Sequence, residues 1–569
     1  HTQINDVLLA ALVDVLSQWG QQETVCLNLE GHGREELFED VDLSRTVGWF
    51  TTIFPVVLGR GRPADPGELL KSVKEQLRQI PRRGIGYGLL RYLSDDAENR
   101  ERLGESPKPE VAFNYLGQFD QVIGSEGRWS WSEASGGANR HPEGKRPDLV
   151  AINARVRDGV LEVRWSYSEA VHRRETIERL ANDYLAALLA IIRHCQLPET
   201  GGYTPSDFPL AGVSQADLEK ISRQSAGPGR SAMADLYPLT PLQQGLWFHE
   251  LLDPASGTYF IQSVMRIEGS LNRNAFRRAW EAVVARHAIL RTRIVWEGLE
   301  KPLQLVRPEV ELPWAEQDWR DNPADEDEAR LSDFLDTDRA RGLDLTQAPL
   351  MRMRLLEVAE QSAILVWSFH HLILDRWSVD VVLQEVWSAY ESLVEGRPLQ
   401  FRPLRPFRDY LEWLQDQDLD RAEQFWRQSL SGFTAPTVLG VDQAPQSGVG
   451  DQESSIGSQG VSLSEAATSA LYEWARQHQL TVSTVVQGAW ALLLSRHSAT
   501  EDVVFGTTVS GRSAGLPGIE SMVGLFINTL PVRVRVSLRH CLVEWLRELQ
   551  EQQVTLREYE YTPLYEIQK

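Results

Sequence analysis

An internal repeat constrains the fold of this chain more than any other feature of its sequence. A stretch near the start, residues 5–56, recurs near the end in residues 484–532. Ala11 corresponds to Ala489, and the pair Gly33-Arg34 corresponds at the same spacing to Gly511-Arg512. After a two-residue shift the correspondence continues, with Gly48, Phe50 and Pro55 matched by Gly524, Phe526 and Pro531. A repeat of this length predicts that one folding unit occurs twice.

Both copies have the same predicted order of secondary structure. Residues 5–13 have a helical pattern, residues 24–29 are rich in strand-forming side chains, and a glycine-rich turn follows at residues 30–35. The second copy also has a helix, a strand and a turn that contains Gly511 and Arg512. This order predicts an α/β fold in which helices and sheet form two layers.

Three further stretches lie between the two copies. Asp158-Gly159 separates the strand-like residues 151–157 and 160–167, which predicts a β-hairpin. Residues 201–234 are rich in glycine, proline and serine and are predicted to be a linker with one short helix, capped at residues 214–217. Residues 176–195 predict an amphipathic helix with an apolar face formed by Ile177, Leu180, Tyr184, Leu185, Leu188 and Ile192.

Length and composition exclude several classes of protein. A chain of 569 residues is expected to form two or more domains. It has no apolar run long enough to span a membrane, and its net charge of −22 argues against a nucleic-acid binder. The three cysteines, Cys26, Cys195 and Cys541, lack metal-like spacing and suggest a reducing, cytoplasmic environment.

A pair of histidines follows a predicted buried strand. The apolar run at residues 363–367 leads into His370 and His371, and Asp375 comes four residues after the second histidine. Ser378 is predicted to cap the helix that follows. Strand alternation places the two histidines on opposite faces. A neutral imidazole at a strand end is suited to act as a general base, and the same pattern also fits two hydrogen-bonded structural histidines.

The segment 370–375 resembles the HHxxxDG signature of the chloramphenicol-acetyltransferase-like superfamily. Here Arg376 occupies the position of the signature's glycine, which leaves the conformation of this loop open. Four flanking segments narrow the resemblance to the condensation domains of nonribosomal peptide synthetases: YPLTPLQQGLWFH (237–249), RHAILRTR (286–293), FRDYLEWL (407–414) and VGLFINTLP (523–531).

The resemblance implies roles for individual residues. His371 would hydrogen-bond the attacking amine, take its proton late or stabilise the tetrahedral intermediate, and His370 would be structural. Asp375 would hold the loop, against an arginine such as Arg352. Arg512 and Asn528 lie on motifs near the expected cleft, where simple packing and hydrogen bonding are an equally good interpretation.

The first part of the chain resembles a different branch of the same superfamily. Its segments LEGHGRE (29–35), RTVGWF (45–50), GIGYG (84–88) and FNYLGQ (113–118) are similar to motifs of epimerization domains. The resemblance implies that Glu30 is one member of an acid/base pair, whose histidine partner lies in a lobe that is absent from this chain. Without the motif, Glu30 would be interpreted as a solvated carboxylate at a strand end.

The two resemblances together imply a domain organisation. Residues 1–200 would be the C-terminal lobe of an epimerization domain, residues 201–234 a linker, and residues 235–569 a condensation domain whose second lobe is incomplete. Both chain ends would then leave apolar residues uncovered, notably residues 7–9 and 532–536. The implied fold is one isolated chloramphenicol-acetyltransferase-like lobe followed by a two-lobed domain.

The implied function is peptide-bond formation between carrier-bound thioesters, with a D-configured donor and an L-configured acceptor. No metal and no dissociable cofactor is expected, since the substrates of this family are held on the phosphopantetheine arms of carrier proteins. The partners would be peptidyl carrier proteins and adenylation domains, with no nucleic acid and no membrane. Two alternatives are a non-catalytic recruitment domain of the same fold and a free-standing acyltransferase that uses acyl-coenzyme A.

Overall fold

The structure is a computed structural model that divides into two compact units, His1–Ser225 and Ala226–Lys569. The residues it describes are 2–35, 37–38, 41–61, 65–106, 108–118, 144–197, 201–224, 233–253, 257–320, 327–434, 436–439, 459–513, 515–537 and 541–569. We call the two compact parts the first unit and the second unit and describe each by itself.

The first unit is a five-stranded mixed sheet with helices packed on it. Its strands are β1 (Thr24–Gly31), β2 (Thr52–Gly59), β3 (Val111–Gln118), β4 (Val150–Arg157) and β5 (Val160–Tyr167), in the order β2-β1-β3-β4-β5. The helices are α1 (Ile4–Gly20), α2 (Pro66–Arg78), α3 (Gly86–Gly88), α4 (Ala97–Glu105), α5 (Arg174–Gln196) and α6 (Gln215–Gln224). Helices α1, α2 and α5 pack against one another, and their apolar faces form one core with the strands.

The predicted hairpin is confirmed, and the predicted face of α5 is partly wrong. Asp158 and Gly159 both have positive φ, 53° and 73°, as the tightest hairpin turn requires. On α5, Leu185 and Ile192 are exposed. The buried residues have spacings of three and four, which form a narrow seam rather than the broad face predicted: Ile177, Leu180, Tyr184, Leu188 and Ile191.

Much of the predicted linker is folded onto the first unit. Asp207 forms an ion pair of 2.5 Å with Lys74 of α2, and both side chains are buried. Phe208, Leu218 and Ile221 are also buried. Glycine and proline in residues 201–224 therefore mark tight turns in a packed segment, while residues 225–232 of the predicted linker lie outside the described residues.

The second unit contains three sheets among its described residues. A four-stranded sheet has the order β10-β11-β12-β7, a three-stranded sheet has the order β6-β9-β8, and β13 pairs with β14. The strands are β6 (Asp235–Pro238), β7 (Phe260–Glu268), β8 (Thr292–Val295), β9 (Leu303–Val306), β10 (Trp314–Asp318), β11 (Met351–Ala359), β12 (Ser362–His370), β13 (Asp502–Val509) and β14 (Asn528–Arg535).

Ten helices are described in the second unit and cover its sheets: α7 (Pro241–Leu252), α8 (Arg273–Arg286), α9 (Asp327–Arg341), α10 (Arg376–Val394), α11 (Phe407–Gln415), α12 (Leu419–Ser429), α13 (Glu465–Gln477), α14 (Val482–Ser498), α15 (Leu542–Arg557) and α16 (Leu564–Ile567). Strand β12 lies inside the four-stranded sheet and is buried along almost its whole length. The predicted buried strand before the histidines is thus confirmed.

The internal repeat is confirmed in structural detail. Each copy has a helix, a strand, an antiparallel partner strand and a second helix: α1-β1-β2-α2 in the first unit and α14-β13-β14-α15 in the second. Gly33 and Gly511 have φ values of 66° and 65°. A Cβ atom at either glycine would lie within 2 Å of a carbonyl oxygen, that of Phe50 in the first copy (1.7 Å) and Phe526 in the second (1.8 Å). Both positions therefore require glycine.

The two apolar segments predicted to be uncovered are in fact buried. Leu8 and Leu9 face the core of the first unit, where α5 and α2 cover α1, and Val532 and Val534 face the core that α15 closes. The prediction failed because each copy supplies its own covering helix after the sheet.

Candidate active site

His370 ends strand β12 and is engaged inside the protein. Its Nδ1 accepts a hydrogen bond from the backbone amide of Leu372 at 3.1 Å, and its Nε2 lies 3.6 Å from Oε2 of Glu250 on α7. The side chain is almost completely buried. The Nδ1 bond shapes the turn after the strand, while Nε2 is buried and has no hydrogen-bond partner among the described residues.

His371 is held by its backbone and not by its ring. Its amide donates to the carbonyl of Tyr259 at 2.8 Å. The residue lies in the turn after β12, so strand alternation does not determine its direction. Its Nδ1 atom is buried and has no hydrogen-bond partner among the described residues. The imidazole as a whole is half-buried, so its accessible part can contact a substrate.

Asp375, and not Ser378, caps the helix that follows. Its carboxylate accepts the backbone N–H of Ser378 at 2.7 Å, and α10 begins at Arg376. Arg376 is exposed, has no positive φ and pairs with Asp380 at 3.1 Å. Since the position after the aspartate is an ordinary first helical residue, it accepts an arginine without strain.

The Asp375 carboxylate pairs with Arg512, and not with Arg352. Nη2 of Arg512 lies 3.2 and 3.3 Å from the two carboxylate oxygens, and the amide of Phe526 donates to Oδ2 at 3.1 Å. Ser378 Oγ also accepts from Nη2 of Arg512, at 2.8 Å. The histidine turn is thus attached to the second copy of the repeat at its glycine-arginine turn.

Arg512 makes several contacts in a buried position through Nη1 and Nη2, while its Nε is buried and has no hydrogen-bond partner among the described residues. Its Nη1 donates to the carbonyls of Ile519 and Met522 at 2.7 and 2.9 Å, and its guanidinium lies 4.1 Å from the ring centre of Phe526. Burial lowers the pKa of Arg512, and the neighbouring Asp375 carboxylate acts in the opposite direction. The charge is retained because an acid and several carbonyls replace its water.

Arg352 forms a separate buried pair with Asp338. Its Nε donates to Asp338 at 2.7 Å, and the same carboxylate accepts from Ser368 Oγ at 2.6 Å and from Gln262 at 3.1 Å. Burial acts to raise the pKa of Asp338, but the bonds from Arg352 and Ser368 outweigh it and lower that pKa. Through the bond from Ser368, the pair is attached to the end of β12 that precedes the histidine turn.

Asn528 connects β14 to the segment before α16. Its Nδ2 donates to the carbonyls of Glu560 and Thr562 at 2.8 and 2.7 Å. Both hydrogens of the Asn528 side-chain amide are therefore bonded to backbone carbonyls. This is the packing and hydrogen-bonding interpretation that the sequence analysis had kept open. The glycine-arginine turn also contacts this segment, because the amide of Ser513, the residue after Arg512, donates to Oε1 of Glu560 at 2.8 Å.

Glu30 lies in the first unit, on β1 next to a cavity of about 390 Å³. The cavity is also lined by His32, Glu35 and Arg83, and Glu35 lies 3.4 Å from His32 and 3.5 Å from Arg83. Burial raises the pKa of Glu30. A carboxylate with a raised pKa beside a cavity can act as an acid or a base toward a bound group.

The sequence interpretation missed two buried polar residues, Asp338 and Glu560. It also missed that Ser378, predicted to cap a helix, connects Arg512 to Gly524 by hydrogen bonds. Ser378 Oγ joins Arg512 to both backbone groups of Gly524. A signal for Glu560 was present, since residues 559–565 correspond to a glycine-rich segment of the first copy and carry an acid where that copy has none.

Across the residues that the structure describes, no group of histidine, cysteine and acidic side chains could hold a metal ion.

The comparisons with known proteins identify the fold and the family of the chain. A variant of the starter condensation domain of rhizomide synthetase, solved with C8-CoA, superposes with a TM-score of 0.50 at 22% identity, over 58% of this chain and 74% of that one. The fold is therefore of the α/β type that condensation domains share with chloramphenicol acetyltransferase. The condensation domain family matches residues 1–209 and 233–569, and the chain belongs to that family.

Several relatives with high sequence similarity are parts of peptide synthetases. One subunit of the linear gramicidin synthase of Brevibacillus parabrevis is 49% identical over 566 residues, which cover 100% of this chain and 7% of that protein. One subunit of the mycosubtilin synthase of Bacillus subtilis is 39% identical over 569 residues, which cover 100% of this chain and 21% of that protein. The chain thus spans a small part of the length of these relatives. In the described part of the chain, none of the helices has the length and apolarity needed to cross a membrane.

Proposed function

We propose that the second unit forms peptide bonds between two thioester-bound substrates within a nonribosomal peptide synthetase. The observation that carries this proposal is the geometry of the histidine turn. The ion pair between Asp375 and Arg512 holds the turn, Nδ1 of His370 accepts a backbone hydrogen bond, and the imidazole of His371 is only half-buried. Such an arrangement suits a reaction that needs one positioned imidazole and no metal.

The chemistry requires little from a base. The acceptor's α-amine has a pKa near 8, so a useful fraction is already neutral near pH 7. Its nitrogen attacks the donor carbonyl, a C–N bond forms, and the donor thiol leaves. His371 orients the amine, accepts its proton as the bond forms, or stabilises the tetrahedral intermediate. Alignment of the two thioesters supplies much of the rate.

The substrates arrive on phosphopantetheine arms of carrier proteins in the cytoplasm, loaded by adenylation domains of the same assembly line. A direct test supplies a donor on one carrier and an acceptor on another and measures the dipeptidyl thioester. Amide formation supports the proposal. Docking of both carriers without product would favour a recruitment domain, and turnover of an acyl-coenzyme A donor without any carrier would favour a free-standing acyltransferase.

The first unit is proposed to be the second lobe of an epimerization-type domain. Val47 and Trp49 are 99% and 88% exposed, whereas their repeat counterparts Val523 and Leu525 are 2% and 1% exposed. The buried pair lies beside Gly524, which contacts Phe407 of α11 and the Asp375 turn. By analogy, a first lobe with its own histidine turn would cover Val47 and Trp49.

In this proposal Glu30 exchanges a proton at the α-carbon of a carrier-bound aminoacyl thioester. Inversion needs one group on each face of that carbon, and the second group is a histidine of the covering lobe. An intact synthetase that carries this lobe should exchange the α-proton for solvent deuterium. Glu30→Gln should suppress the exchange, and Glu23→Gln, on the same unit but exposed, should not. Exchange by the present chain alone would contradict the assignment.

An epimerase produces both isomers, so the condensation step is proposed to select the D-configured donor. A difference of about 1.4 kcal/mol in transition-state binding gives tenfold selection. The test compares initial rates with D- and L-terminated donors on the upstream carrier, one L-acceptor, and a Glu30→Gln background. A faster D-donor supports the selection, and equal rates or a faster L-donor would refute it.

A further inference from the structure

A cavity in the second unit lies at a place in the fold equivalent to that of the Glu30 cavity in the first unit. It has a volume of about 270 Å³ and lies beside β13, β14 and α15. The repeat spacing of 478 residues that relates Gly33 to Gly511 holds up to the two-residue shift. Over this stretch, seven residues that line the second cavity are equivalent to residues that line the first cavity. Three examples are Ser483 for Asn5, Thr508 for Glu30 and Ser513 for Glu35.

The carboxylate of this second cavity comes from a different place in the fold. Thr508 replaces Glu30 on the strand, so β13 contributes no acid there. Glu560, in the segment between α15 and α16, lines the cavity instead. It lies where the first copy has a glycine-rich segment around Gly84. The first cavity is lined by Asp6, Glu30 and Glu35, whereas Glu560 is the acidic residue that lines the second cavity among the described residues.

Glu560 is buried, and only one of its two carboxylate oxygens has a hydrogen-bond partner among the described residues. The residue is 4% exposed, and its Oε1 accepts the amide of Ser513 at 2.8 Å. Its Oε2 is buried and has no hydrogen-bond partner among the described residues. An acid oxygen without a donor is costly inside a protein, so such an atom indicates a ligand that supplies one.

The surroundings of Glu560 leave room for a small cation. The cavity wall is rich in hydroxyl and amide groups, among them Ser483, Thr508 and Gln553. Arg557 also lines the cavity, but its side chain is exposed and forms no ion pair with Glu560 in the described chain. The hydroxyl of Tyr410 is a further titratable group near Glu560.

We propose that Glu560 binds an ammonium group of the acceptor substrate in this cavity. The inference deepens the proposed function and rests on it for the identity of the ligand. An ammonium supplies the missing N–H donors and neutralises the buried carboxylate, whereas the Glu560 oxygen would repel an anion. Burial raises the pKa of Glu560, and the hydrogen bonding from Ser513 and the nearby charge of Arg557 act in the opposite direction.

The ammonium has two possible sources, and three small probes separate them. L-alanyl-N-acetylcysteamine thioester carries only an α-ammonium, and Nα-acetyl-L-lysyl-N-acetylcysteamine thioester carries only a side-chain ammonium. Propionyl-N-acetylcysteamine thioester carries neither. Calorimetric titration of the full chain at pH 7 measures each affinity for the unchanged protein, for Glu560→Gln and for Glu558→Gln, an exposed neighbour.

Glu560→Gln should weaken binding of an ammonium probe about ten- to hundredfold, the effect of losing one charge-assisted bond. Binding of the propionyl probe and the behaviour of Glu558→Gln should be unchanged. The probe that loses affinity identifies the source of the ammonium. Glutamine can still accept from Ser513, so the variant keeps that bond, and its melting temperature reports whether the fold is intact.

Equal affinity of Glu560→Gln and the unchanged protein for both ammonium probes would overturn the proposal. Equal loss for the propionyl probe would also overturn it, because the residue would then be structural. The carrier-based assay keeps the two claims apart. If the unchanged protein forms amide and Glu560→Gln has the same Michaelis constant for the acceptor, the inference fails while the proposed function stands.

Discussion

Arg512 and Asp375 form an ion pair that is buried on both sides, with Nη2 at 3.2 and 3.3 Å from the two carboxylate oxygens. The aspartate belongs to the histidine turn, and the arginine belongs to the second copy of the repeat. The two residues are far apart in the sequence of the second unit. Their pairing fixes the position of His371 relative to β13 and β14.

Replacing both members of this pair should cost less than the sum of the two single replacements. Asp375→Ala leaves the Arg512 charge buried without its acid, and we expect a loss of about 3–5 kcal/mol in the free energy of unfolding. The double variant with Arg512→Met should lose less than the two single variants combined. Urea titration of all four proteins measures the coupling, and additive losses would contradict a direct interaction.

The arginine after the motif aspartate should be replaceable. Arg376 is exposed at the first position of α10 and contributes a surface ion pair with Asp380. We expect Arg376→Gly to change stability by less than about 0.5 kcal/mol and to leave the rate of amide formation unchanged. A large loss of rate in the carrier assay would show that the side chain contacts substrate or a carrier.

Matched substitutions in the two copies should have opposite consequences. Val47→Ser alters an exposed residue, and Val523→Ser alters its buried counterpart. The first change should leave the melting temperature of its unit unchanged. The second should cost about 1.5–3 kcal/mol, the transfer free energy of a buried valine. Comparable destabilisation by both changes would mean that Val47 is also covered in this chain.

The Asp338–Arg352 pair predicts a specific acid sensitivity. The folded-state pKa of Asp338 lies below its unfolded value, which is near 3.9. The ionised carboxylate therefore stabilises the fold above about pH 4, and this contribution is lost as the pH falls through the folded-state pKa. The stability difference between the unchanged protein and Asp338→Asn should be large at pH 7 and should shrink as the pH falls below about 4. A difference that is constant with pH would contradict the assignment.

Features that the sequence encodes locally or by self-similarity could be predicted. The repeat placed Gly33 and Gly511 in equivalent turns, and Asp158-Gly159 defined a hairpin from two residues. The strand before His370 was visible from its apolar run. In each case the determining residues are neighbours in the chain or copies of one another.

Features that depend on distant partners could not be predicted. The charge of Asp375 gave no means of choosing Arg512 over Arg352, because the choice depends on how the Gly511 turn folds against α10. Ser378 and Asp375 are both good capping residues, and the sequence alone did not decide which of them begins the helix. Glycine and proline in residues 201–224 indicated a linker, whereas burial of Phe208 and Ile221 shows a packed segment.

The most direct test of the central claim measures dipeptide formation by the intact synthetase with His371 replaced. Donor and acceptor are loaded on their carriers, and the initial rate is compared for the unchanged protein, His371→Ala and His497→Ala, an exposed histidine of the same unit. We predict a loss of at least about a hundredfold for His371→Ala, the scale of a positioned acid/base group, with carrier binding intact and His497→Ala unaffected. A near-normal rate for His371→Ala would contradict the account.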